Sequence, residues 1–138
     1  VTSGPISGFA LRWGLAALAT IAVTIAMAGV PDVGFWSVIG IVMVLLVVGT
    51  AFAPGTVIPL LFLLGLVAYR LMGDGSTVDM GLFALVALMP AIHLLAGVAG
   101  GIPLRARLHW TVLRPSAIRY CIAVIPVEIG LAALALVR

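Results

Sequence analysis

Lysine is missing from this 138-residue chain, and acidic residues number four. The net charge of +3 therefore comes from arginine alone. Only 8% of residues are charged, where soluble domains carry about 25%. A water-soluble fold needs a polar surface that this chain has no residues to build. Nucleic acid is a poor partner on the same ground. The arginines flank apolar runs and do not interleave with aromatics on a polar face. Cys121 is the single cysteine, so no disulfide can form within the chain. It lies just inside an apolar run and reads as a small buried hydrophobe. With two histidines and one cysteine, a zinc or haem site would need ligands from another chain. A nucleophile–base pair, a phosphate loop and an acidic metal cluster are all missing. The reading is no catalytic residue, no metal and no cofactor.

What remains is apolar: 64% of the residues, with a mean hydropathy of +1.39. A helix needs about 20 such residues to cross about 30 Å of hydrocarbon. Stretches near that length run over 9–30, 35–52, 57–73, 80–99 and 117–137. They predict an all-α polytopic membrane protein, one domain over 1–138, with five transmembrane helices in a small bundle. Residues 1–8 read as a disordered lead-in. Val1 reads as a translated alternative start codon or a trimmed end. Arg12 ahead of Ala26-Met27-Ala28 mimics a signal peptide, a reading set aside because the chain retains the segment. Close packing of the first helix through Gly14 and Ala17 is expected.

Short turns separate the spans. Pro31-Asp32-Val33-Gly34 is one, with Phe35 and Trp36 at interfacial depth after it. Ala53-Pro54-Gly55-Thr56 is a tight hairpin, Thr56 capping the next helix and Pro59 in its first turn. In the turn at 73–79, Ser76 with Asp79 three residues on resembles a capping box. Pro90 frees the carbonyl of Val86 and kinks the fourth span. A short interfacial helix is expected over 103–114, stopped by Pro115, with Ser116 capping the fifth span.

Charge then sets orientation. Five crossings put Arg12, Arg105, Arg107, Arg114 and Arg119 on one side, and Asp32, Asp74 and Asp79 on the other with Arg70 and Arg138. The positive-inside rule predicts a multi-pass membrane protein with its N-terminus in the cytoplasm and its C-terminus outside. Four crossings would split the arginines between the two faces.

Glu128 is the sharpest polar candidate. A fifth span starting at 117 puts it about 15 Å in, near mid-membrane. An ionised carboxylate there needs a partner, water or a proton. His93, about 9–10 Å from the inner face, and Arg70 from the outer side are the candidates to pair with it. The site reads as a proton- or cation-handling group, or as a structural contact between helices or with a partner subunit. The basic connection at 100–116, with Arg119 beyond it, has two readings as well. Arg105, Arg107, Arg114 and Arg119 are a topology determinant touching anionic headgroups, or, with His109 and Trp110, a docking surface for a cytoplasmic partner.

From Pro54 onward the chain resembles small actinobacterial integral membrane proteins encoded beside MoxR-type AAA+ ATPases and DUF58-type proteins. The resemblance is carried by LLFLLGLVAYRL at 60–71, by the IHLLAGVAG run around His93, and by the arginine-rich connection into the last span. It implies a membrane-anchored subunit or scaffold of an ATPase-driven system in the bacterial cytoplasmic (inner) membrane, and no catalytic residues. The expected function is a non-catalytic subunit or scaffold, its partners the bilayer and proteins of a membrane complex. A small oligomeric proton- or cation-coupled transporter using Glu128 with His93 is the alternative, and a lipid-acting enzyme ranks last.

Overall fold

Helix starts in this chain are set by short polar side chains ahead of apolar runs. A computed structural model describes residues 6–28, 37–72 and 79–137. Five helices are found there: α1 (Gly8–Ala28), α2 (Val38–Phe52), α3 (Ile58–Met72), α4 (Met80–Gly100) and α5 (Trp110–Val137). Ser7 accepts from the N–H of Ala10 at the head of α1. Ser37 accepts from Gly40 at the head of α2. Thr56 accepts from Ile58 and donates to the carbonyl of Ala53, closing the α2–α3 turn. Each satisfies a helix-end group that would otherwise lack a partner. Before α4 that role belongs to Asp79, which accepts from Leu82. Asp79 is thus the cap itself, not the third residue of a capping box. Ser76, the turns at 31–34 and 73–78, Phe35, Trp36, Asp32, Asp74 and Arg138 lie outside the described residues.

Helix α1 is the centre. It packs against α2, α3 and α4. Leu11, Leu15, Ala19, Ala22 and Ala26 are buried along it, spaced by three or four residues as one helical stripe requires. Phe62 and Leu66 of α3 and Leu85, Ile92 and Ala96 of α4 complete the core. Gly14 and Ala17 are exposed. The close approach runs through the alanines of the stripe instead, because a helix has one face toward its neighbours and Gly14 is off it.

Contacts at the helix ends fix an alternating order. At one end, Arg12 of α1 reaches the last carbonyl of α2, and the α2–α3 turn meets the end of α4 at Gly55 and Gly100. At the other, Gly81 of α4 lies beside Ile25 of α1, and Arg70 of α3 pairs with Asp79. The first of these is called the near end below, the second the far end.

The connection to α5 departs from expectation. No separate helix forms over 103–109, and residues 110–114 of the expected interfacial helix belong to α5. Arg107–Leu108 is a two-residue strand, β2, antiparallel to β1 (Ile6–Ser7). The amides of Gly8 and Phe9 donate to the carbonyls of Ala106 and Leu104. The first N–H groups of α1 find acceptors in this loop, so the loop stays extended and part of the lead-in is ordered. A Cβ on Gly8 would run into the backbone carbonyl of Pro103. Pro115 does not stop a helix, and Ser116 is no cap: α5 runs through both and through Pro126. In apolar surroundings a new helix end would leave more backbone groups unpaired than one proline does.

Helices α1, α4 and α5 are each long and apolar enough to cross a bilayer, while α2 and α3 are shorter apolar helices of 15 residues. This is the architecture of a helical membrane protein.

Candidate functional site

The basic connection lies at the near end. Arg105 is in the turn after α4, Arg107 on β2, His109 and Trp110 at the start of α5, and Arg114 and Arg119 along it; all six are exposed. His109 Nδ1 is 3.3 Å from the hydroxyl of Thr111. Among the described residues no carboxylate reaches salt-bridge distance of Arg105, Arg114 or Arg119. Their guanidinium groups are left for lipid or for another molecule.

The polar side chains assigned to the apolar region do not converge. Arg70 is bonded to Asp79, not Glu128. The partially buried guanidinium thus meets its countercharge within its own end of the bundle. The Leu82 N–H, and then Arg70, hold the Asp79 carboxyl below its ordinary value. His93 is exposed on α4.

Glu128 sits higher than its sequence suggested. Because α5 begins at Trp110, Glu128 is about 27 Å along it, close to the far end. The Tyr120 hydroxyl donates to the carbonyl of Ala87 at 2.9 Å, which marks one common level on α4 and α5. From that level Glu128 is eight residues toward the far end, about 12 Å. His93 is six residues toward the near end, about 9 Å. A separation of roughly 20 Å along the bundle rules out a His93–Glu128 pair.

Glu128 nevertheless faces protein. Among the described residues of α5, those not exposed are Leu113, Ser116, Tyr120, Val124, Glu128 and Leu131. Their spacing of three or four is one stripe, turned toward α4, the main helix against which α5 packs. Glu128 Oε1 is buried there without a hydrogen-bond partner among the described residues. Cys121 is exposed, one residue off the stripe.

Two polar contacts went unforeseen. Arg12 Nη1 donates to the Phe52 carbonyl at 2.8 Å, putting a cation at the negative end of the α2 dipole. Tyr120 donates to the carbonyl of Ala87, adjacent to the Val86 carbonyl that Pro90 frees. Nothing in the sequence marked the tyrosine. Among the described residues no three His, Cys, Asp or Glu side chains gather as a metal site.

No protein-family model matches the chain, and neither a curated protein nor a solved structure is similar to it.

Proposed function

We propose that the chain is a non-catalytic subunit or scaffold of a larger assembly in the bacterial inner membrane. It crosses the bilayer five times, with the near end in the cytoplasm and the C-terminus outside. The arginines of the near end support that orientation. Helices α2 and α3, about 22 Å each, cross with local thinning of the bilayer.

One observation carries the subunit reading. Helix α5 is bare outside its α4 contact: among its described residues only Val124 is buried, while Ile118, Ile122, Ile125 and Ile129 are exposed. Exposed Arg119, one residue before Tyr120, is then level with the middle of α4. A guanidinium facing lipid at that depth is costly. A partner helix with an acceptor opposite Arg119 would cover the isoleucines and satisfy the charge together. The resemblance to small actinobacterial membrane proteins makes a MoxR-type ATPase system our proposed partner, reached through the basic cytoplasmic connection.

Affinity purification in mild detergent tests this. A stoichiometric partner is expected, weakened by Arg119→Leu. A chain that purifies alone, with Arg119→Leu behaving as wild type, would sink the proposal.

The buried, unpartnered oxygen of Glu128 favours a second reading, an oligomeric proton-coupled carrier, now without His93. In that case Glu128→Gln abolishes flux in reconstituted vesicles.

A further inference from the structure

A groove runs along the flank of the bundle between α4 and α5. Leu18 of α1, Ala91 and Val98 of α4, and Trp110, Ala117 and Tyr120 of α5 are among its lining residues. It holds about 280 Å³, and its lining is almost wholly apolar. From Trp110 to Tyr120 it extends about 15 Å along α5. One leaflet offers half of a hydrocarbon core of about 30 Å, the same length. An acyl chain lying along the helices therefore matches the groove in length, with one side left open to the bilayer.

The mouth of the groove has the chemistry of a headgroup. Trp110 and Val98 line it at the near end, and an indole is favoured at the membrane–water boundary. Arg114 follows Trp110 by four residues and precedes Ala117 by three, so it shares their side of α5. Helical side chains lean toward the helix N-terminus, which carries this guanidinium back toward Trp110 and the mouth. Arg114 is exposed, and no carboxylate of the described residues neutralises it. Its planar fork of donors suits phosphate oxygens.

We propose that this groove binds one anionic phospholipid from the leaflet at the near end, its acyl chain between α4 and α5 and its phosphate on Arg114. The inference rests on the membrane reading above and not on the subunit reading.

Quenching of Trp110 tests it. The full chain carries Trp13→Phe and Trp36→Phe, leaving one indole. It is reconstituted in phosphatidylcholine vesicles doped with acyl-brominated phosphatidylglycerol or acyl-brominated phosphatidylcholine. Half-maximal quenching is expected at an about fivefold lower fraction of the anionic lipid, the preference one arginine gives at an anionic surface. Arg114→Gln removes the preference and Arg114→Lys keeps most of it. Ala117→Phe, which fills the groove, reduces quenching by both lipids. Equal quenching by the two lipids overturns the proposal, and so does a preference that survives Arg114→Gln. Quenching by neither lipid, with chains that crosslink as dimers, would give the groove to a second copy and also overturn it. A chain that fails to float with vesicles would defeat the membrane reading instead.

Discussion

Asp79 has two partners, the N–H of Leu82 and the guanidinium of Arg70. Asp79→Ala removes a helix cap and a countercharge together, and the cap alone is worth about 1 kcal/mol. A lower Tm in detergent is the expected result. The pH dependence has a definite sign. Both partners favour the ionised form, so the folded carboxyl titrates below its ordinary 3.8. Its contribution is complete above that value and is lost as pH falls through the lower folded one. The wild-type Tm should therefore drop more than that of Asp79→Asn below about pH 4. The side chain is 44% exposed, so solvent screening keeps the difference small. The sequence offered His93 and Arg70 as partners for Glu128 and read Asp79 as part of a capping box. It could not pair Arg70 with Asp79, because pairing depends on level along the bundle, and a seven-residue change in where α5 starts moves Glu128 by about 10 Å.

Among the elements, α5 has the weakest attachment. It packs mainly on α4, with the Tyr120–Ala87 hydrogen bond as the polar tie. Tyr120→Phe should cost about 1 kcal/mol, read as a lower Tm with unchanged helical circular dichroism. The offset between the two helices has a direct check. In a Cys121→Ser background, a short bis-maleimide should join cysteines placed at Ala91 and Ala117, which line one groove. It should fail to join cysteines at 93 and 128. Efficient joining of the second pair would overturn the vertical order of α4 and α5. The apolar runs announced five helices, while proline was a poor guide to their ends. Pro54 does follow the end of α2, whereas Pro90, Pro115 and Pro126 lie inside helices. Away from water a helix continues past a proline because stopping leaves more of the backbone unpaired.

At the scale of the molecule, the near end is closed by backbone against backbone. A Cβ on Gly100 would come within 2.7 Å of Gly55 Cα, whereas one on Gly97 meets nothing within 4 Å. Gly100→Ala should lower Tm by forcing the α2–α3 turn away. Gly97→Ala should leave it unchanged or raise stability by up to about 1 kcal/mol. Reporter fusions address the threading: a cytoplasmic N-terminus and an external C-terminus are expected. Both termini in one compartment would refute five crossings.

Composition alone excluded a water-soluble domain, because 8% charge cannot coat a globule. The lengths of the apolar runs settled that the elements are helices, since a lone helix satisfies its own backbone in lipid. The grouping of arginine in the connection before α5 was equally legible. Folding was needed to show that this connection pairs as β1–β2, that α5 rises past the level of α4, and that a groove opens between α4 and α5. These features depend on which residues far apart in the chain come to lie at the same height. That height is set by side-chain packing between helices distant in sequence, and no local pattern encodes it.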